Sequence, residues 1–217
     1  CDSALRQARL EGEPRKIARA LTDCAYARWV SSPDKGLEMA NEALQVARSA
    51  GYKSGEARAV AVSGWLWYMK SEYAEAMERY LRAESLAREI KDSATISFIK
   101  QSKGNLFRRV FKDYSRSYSE HLQALALLLR SNAADSLNMM LLYQEIGIDL
   151  ENLGRPAEAL PYLQPTMEYF AQRRDTANIC VSVGYIGRCY LSLERYDSAL
   201  AYTNRALAFA EPQEFQR

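Results

Sequence analysis

Apolar and small side chains recur at helical spacing along this chain, three and four residues apart, and short polar breaks interrupt the pattern at regular intervals. Four stretches, beginning at Ser63, Lys103, Ile146 and Ile186, can be written beneath one another. Each carries a glycine inside an amphipathic helix (Gly64, Gly104, Gly147, Gly187), a large residue three positions later (Trp67, Phe107, Leu150, Tyr190), and then a break. A second helix follows, opened by Tyr73, Tyr114, Pro156 or Tyr196. It carries small residues seven apart: Ala76 with Ala83, Ser117 with Ala124, Ala159 with Thr166, and Ala199 with Ala206. A weaker copy precedes them, with Cys24 in the glycine position, Pro33 at the break, and Gly36 with Ala43 as the small pair. The pattern predicts an all-α chain. A short N-terminal helix over 1–13 leads into five helix-turn-helix repeats over about 14–52, 53–92, 93–134, 135–174 and 175–212, all within one open-ended array spanning 1–217.

The recurrence has a steric reason. A mid-helix glycine costs roughly 1 kcal/mol relative to alanine, so four of them in one phase imply a packing demand. Where two helices cross closely, Gly on one and Ala on the other remove the bulk that would hold the backbones apart, and neighbouring Leu and aromatic side chains fill the remaining space.

At these residues the chain resembles the tetratricopeptide repeat family, over about residues 14–210. Its spacing is longer than the family's usual period of about 34 residues: 40 from Cys24 to Gly64, 40 to Gly104, 43 to Gly147 and 40 to Gly187. That resembles the long-repeat branch seen in kinesin light chains and in some bacterial peptide-sensing regulators. Of the three extra residues in the 43, one lies between Gly104 and Tyr114 and two lie in the link 130–135. The resemblance implies a right-handed α-α superhelix whose first helices line a concave groove that binds an extended peptide or a partner's helix. By helical phase the inward positions are Arg28 and Trp29, then Trp65, Tyr68 and Met69, then Gln101, Asn105, Arg108 and Arg109, then Gln144, Ile148 and Asn152, and finally Arg188. Aromatic anchors mixed with amides and arginines suit peptide recognition. Trp65 and Trp67 fit inter-repeat core as well.

Several positions depart from the pattern. Lys100, Lys103, Arg108, Arg109 and Lys112 form a cationic run with no acidic residue between Ile96 and Lys112, which favours an acidic peptide or a terminal carboxylate. A solvated face is the plain alternative. Asn105 falls in the asparagine position of the family's carboxylate clamp, whereas Glu145 takes the next repeat's counterpart. Lys103 stands where Ile146 and Ile186 stand, and Asp149 where Leu66, Leu106 and Cys189 stand. A partly buried ion pair between the two on neighbouring first helices is expected, with Lys103 reaching to solvent as the other reading. Pro161 and Pro165 lie too deep in their helix to be spared lost backbone bonds, so a kink and a local change of superhelix curvature are expected there.

Composition agrees with helix. There are 31 alanines and 25 leucines against 20 valines, isoleucines and threonines together. The 26% charged and 48% hydrophobic residues exclude a disordered tail and a membrane bundle. A formal charge of +2 is too balanced for a dedicated nucleic-acid binder. The single histidine, His121, falls in a core position that Tyr80 and Leu163 occupy in other repeats. No phosphate loop, H-E-x-x-H or G-x-S-x-G occurs. No enzyme, metal or cofactor is therefore expected.

Cys1, Cys24, Cys180 and Cys189 include no C-x-x-C pair, and Cys180 and Cys189 are about 13 Å apart along one helix, beyond the roughly 7 Å reach of a bridge. No structural disulfide is expected. Cys1 at the start resembles the acylated residue of bacterial lipoproteins and is a candidate lipidation site, which would make the protein extracytoplasmic and lipid-anchored. A segment boundary in a cytoplasmic protein is the other reading. The last helix leaves Leu200, Leu207 and Phe209 to be covered by further chain of a longer protein or by a second copy, giving a homodimer. The function expected is a non-enzymatic scaffold that binds a protein or peptide partner. The alternative is an extracytoplasmic sensory domain of a bacterial membrane-bound regulator, whose membrane segment and kinase or transcription-factor output lie elsewhere.

Overall fold

The polar breaks after the four repeat glycines contain left-handed residues, Ser71, Lys112, Gly154 and Glu194. In the computed structural model, which describes residues 1–28, 30–130 and 136–210, the chain folds as α1 (Asp2–Glu11), α2 (Pro14–Ala27), α3 (Pro33–Ser49), α4 (Lys53–Met69), α5 (Tyr73–Glu89), α6 (Ser93–Leu106), α7 (Tyr114–Arg130), α8 (Ser136–Asn152), α9 (Pro156–Gln172), α10 (Thr176–Ser192) and α11 (Tyr196–Ala210). After α4, Glu72 N–H donates to the Trp67 carbonyl at 3.0 Å; after α8, Arg155 donates to Leu150 at 2.9 Å; after α10, Arg195 donates to Tyr190 at 2.9 Å. These are Schellman bonds, and each requires one residue at positive φ: Ser71 (66°), Gly154 (72°) and Glu194 (58°). Their acceptors are the large residues three positions after each repeat glycine.

The third turn is built differently. α6 runs into a π-helical turn, Phe107–Phe111, and Asp113 donates to the Phe107 carbonyl at 3.0 Å, one residue farther along than in the other turns. Widening the last helical turn thus absorbs the extra residue between Gly104 and Tyr114. The other two extra residues belong to the link around 131–135, outside the described residues.

Contacts divide the chain into two compact units, Cys1–Leu106 and Phe107–Arg217, the division falling between α6 and the π-turn. In the first unit α1 packs on α2, the first helices α2, α4 and α6 lie side by side, and the second helices α3 and α5 join each to the next. A Cβ at Gly36 would meet the Ala25 carbonyl and a Leu66 methyl at 3.0 Å, and one at Gly64 would meet the Tyr80 ring at 2.9 Å. Ala43, Ala76 and Ala83 are fully buried at these crossings. In the second unit α7 to α11 pack consecutively and α8 also meets α10. Its core is Leu142, Ile146, Leu150, Leu163, Phe170, Ile179, Val183 and Ile186, and a Cβ at Gly147 would come within 2.5 Å of Leu163. Ser117, Ala124, Ala159 and Thr166 are buried without exposure.

α9 is one continuous α-helix that runs on through Pro161 and Pro165. Each proline removes one backbone donor, but the helix is held from outside by burial of Ala159, Leu163, Thr166, Met167 and Phe170. One expectation is corrected, and it concerns cysteine. Cys1 and Cys24 form a disulfide, with Cα atoms 5.4 Å apart, while Cys180 and Cys189 are free. The bridge depends on α1 folding back along α2 through Gly12 at φ 68°, a tertiary arrangement that spacing within one helix does not reveal.

Candidate functional site

The first helices of the N-terminal unit carry a continuous aromatic run. Beyond its first turn, α4 buries every side chain except those of Arg58, Trp65, Trp67 and Met69, which stay partly exposed. The Trp65 ring lies 6.0 Å from Tyr26 of α2 and 5.4 Å from Tyr68, which reaches Tyr73 of α5 at 6.0 Å. Tyr26 meets Phe98 of α6 edge-on at 5.8 Å, and Arg58 lies over Phe98, 4.3 Å from its centroid. Three successive first helices therefore contribute to one surface. Of the positions read as inward by phase, Trp65 is partly exposed in this run and Tyr68 is buried in it. Trp67 faces elsewhere, under Lys70 at 5.2 Å. Tyr26, Arg58 and Phe98 were not singled out in the sequence, although each continues a named stripe: Tyr26 is three residues before Trp29, and Arg58 and Phe98 are seven before Trp65 and Asn105. Trp29 itself is outside the described residues.

The start of α6 is pinned beside this surface. Asp92 accepts from Thr95 N–H at 3.0 Å, Thr95 Oγ1 at 2.9 Å and Ser54 Oγ at 2.6 Å. Burial pushes its pKa up, but these hydrogen bonds and the Arg58 charge together hold it below the ordinary value.

The cationic run does not form an open basic face. Lys100 and Lys103 extend toward Glu84 of α5, at 3.9 and 3.1 Å, where Arg88 also pairs at 2.6 Å. Burial pushes the Glu84 carboxyl up, and the three cations outweigh it and bring it below the usual carboxylate value. Arg108 is buried and pairs with Glu145 and Asp149 of α8. Arg109 and Lys112 are exposed. The carboxylates absent from 96–112 arrive on neighbouring helices, so the linear run overstates the charge on offer to a ligand.

Arg108 belongs to a buried polar network in the C-terminal unit. Asp149 Oδ1 accepts from Ser117 Oγ at 2.8 Å and faces Arg108 at 3.3 Å, while Oδ2 lies 2.6 Å from His121 Nδ1. His121 and Asp149 have no exposed surface. Both Lys103 and Asp149 have partners within their own units.

The remaining groove positions are mixed. Gln144 is buried and donates to the Asn178 carbonyl at 3.0 Å and to Ser182 Oγ at 2.8 Å. Ile148 is buried, and Asn152 donates to the Ile148 carbonyl of its own helix at 2.8 Å. Arg188 is exposed and pairs with Glu151 at 2.9 Å. Asn105 is buried, while Gln101 and Met69 are half-buried. Arg28 pairs with Asp2 of α1 at 2.6 Å. Leu200 and Leu207 of α11 are 62% and 57% exposed; the side chain of Phe209 is outside the described residues.

Cys1, Asp2 and Cys24 bring ligating atoms within 4.8 Å of one another, which their separation in sequence conceals. The disulfide withdraws both thiolates, leaving one carboxylate, so the three do not fit a metal. No helix among the described residues is long and apolar enough to cross a membrane.

Comparison with known proteins bears on the fold. A family model described as tetratricopeptide repeat matches residues 135–211. No curated protein sequence matches the chain. Among solved structures, the chain is similar to BtubC (BKLC) from P. vanneervenii, at 15% identity and a TM-score of 0.75 over 100% of this chain and 92% of that one. It is also similar to a Podosopora anserina putative kinesin light chain with nearly identical TPR-like repeats, at 11% identity and a TM-score of 0.66 over 94% of this chain and 99% of that one. The apo form of the quorum sensor NprR from B. thuringiensis is similar at 14% identity and a TM-score of 0.59, over 94% of this chain and 68% of that one. The helix pairs, their turn chemistry and these similarities together give the chain a helical-repeat fold of the tetratricopeptide type.

Proposed function

We propose that this protein is a non-enzymatic scaffold that binds a peptide or a partner's helix on the first-helix face of its N-terminal unit. The observation that carries this reading is the partly exposed aromatic surface that Tyr26, Trp65 and Phe98 build from three separate helices. Large aromatic side chains offer contact area at small entropic cost, and rigid helices hold them in place before a ligand arrives. The long repeat spacing and the likeness to a kinesin light chain support placing the chain in the long-period branch.

Selection of displayed peptides against the intact protein tests this. Selected peptides should bind wild type, and Trp65→Ala should weaken them at least tenfold, as loss of an interface anchor of about 1.4–2 kcal/mol would. Failure to select any peptide, or binding indifferent to Trp65, defeats the proposal.

A second reading, a sensory domain whose ligand controls an output elsewhere in a longer protein, draws on the likeness to a quorum sensor. Cys1 as a lipid anchor and an extracytoplasmic location belong to that reading. The full reading frame tests it: a membrane segment joined to a kinase or DNA-binding domain supports it, and a frame with neither rejects it.

A further inference from the structure

We infer that the solvent face of α9 is a second docking surface, fitted to an arginine side chain that a partner protein presents. The inference goes beyond the peptide-binding reading, which concerns the first helices of the other unit.

Proline is the least favourable residue in a helix interior, and α9 carries two, Pro161 and Pro165, one turn apart. Both are exposed, and Ala157, Glu158, Glu168 and Gln172 are exposed on the same stripe. The core takes nothing from the two rings, since α9 buries Ala159, Leu163, Thr166, Met167 and Phe170. At the equivalent positions other second helices carry ordinary helix-surface residues: Glu38 and Glu42 in α3, Glu78 and Arg82 in α5, Ser119 and Gln123 in α7. A costly local departure that the packing does not use points to function.

What the prolines supply is hydrogen-bond acceptors. Neither has an N–H, so the carbonyls four residues earlier, those of Ala157 and Pro161, lack the donor that a helix would otherwise give them. On the solvent side of a helix, carbonyls tilt outward. At about 1.5 Å of rise per residue the two lie roughly 6 Å apart along the axis, a span that the divergent donors of one guanidinium can bridge.

Charge points the same way. Glu168 is exposed and, among the described residues, has no ion pair and no hydrogen bond. Glu158 pairs with Arg155 at 2.6 Å, so the nearby cation is engaged. The face thus offers a free carboxylate and two bared carbonyls, which favour a cationic donor and disfavour an acidic segment. An ammonium would meet the charge alone. A guanidinium adds a planar fork for the carbonyls and a flat surface that can lie on the proline rings.

The probes are arginine, lysine and citrulline, each blocked as the N-acetyl amide, titrated into the whole protein while the carbonyl-carbon resonances of Ala157 and Pro161 are followed. Blocked arginine should shift both saturably and bind about threefold or more tightly than blocked lysine or citrulline. Pro161→Ala returns a donor to the Ala157 carbonyl, so it should raise the thermal midpoint and weaken blocked arginine about threefold. Glu168→Gln should weaken it about twofold. Pro156→Ala, at the first helical position where no helical bond is missing, should leave its affinity unchanged. No saturable shift, equal binding of arginine and lysine, or undiminished binding to Pro161→Ala overturns the inference. A lowered midpoint in Pro161→Ala overturns it as well, because the proline would then serve the fold.

Discussion

His121 Nδ1 lies 2.6 Å from Asp149 Oδ2, and neither side chain has any exposed surface. Asp149 occupies the position that Leu66, Leu106 and Cys189 hold in the other repeats, so one repeat has exchanged an apolar contact for a network with Arg108, Ser117 and His121. Such a network is tolerable only when its members are satisfied together. Arg108→Met should destabilise the protein by about 3–5 kcal/mol, because it leaves buried carboxylates uncompensated. Adding Asp149→Leu should restore part of the loss. Thermal midpoints of the two single variants and the double variant check this, and strictly additive shifts would falsify the coupling.

Acidification should weaken the fold through the same residues. Burial pushes the Glu145 carboxyl up, but the charges of Arg108, His121 and Arg109 outweigh it and hold the folded pKa below the ordinary 4.5. A carboxyl with a lowered folded pKa contributes stability that is full above its unfolded value and is lost as pH falls through the folded one. Glu84 acts in the same sense. Glu151, raised chiefly by burial despite Arg188, acts in the opposite one. Urea midpoints should therefore fall as pH drops below about 4.5, and Glu145→Gln should flatten that fall. An unchanged slope in the variant would remove Glu145 from the account.

The glycines separate into two classes. Alanine at Gly64 or Gly147 would press on the fully buried Tyr80 or Leu163, at 2.9 and 2.5 Å, and should destabilise by about 1–3 kcal/mol. Alanine at Gly184 meets nothing within 4 Å and should stabilise by up to about 1 kcal/mol through helix propensity. Denaturation of the three variants gives the signs directly.

One sulfur atom has two incompatible fates. Cys1 Sγ is bonded to Cys24, and the same atom cannot also carry a thioether-linked lipid. Thiol titration of the unreduced, denatured protein should find two free groups, Cys180 and Cys189. Reaction at Cys24 as well, with Cys1 still blocked, would show acylation in place of the bridge.

Much of the fold was legible because its signals are local. A glycine, a large residue three positions on and a polar break repeat along the chain, and they mark the crossing, the cap acceptor and the left-handed turn. Even the extra residue before Tyr114 could be counted from the spacing. The candidate site was legible only in part. Helical phase named Trp65 and Tyr68, whose rings join the aromatic run, and it offered Arg108 and Gln144 on equal terms, although their partners Glu145, Asp149, Asn178 and Ser182 bury them.

The sequence by itself determined the helices and their ends, because i to i+4 bonding, proline at a first turn and glycine at a crossing act over a few residues. Tertiary structure decided which charges are paired, that Cys1 meets Cys24, that α9 holds through two prolines, and that Arg58 stacks on Phe98. Those outcomes depend on side chains brought together from separate helices. The energy of a charge, a thiol or a lost backbone bond is set by those neighbours, which no local pattern of residues encodes.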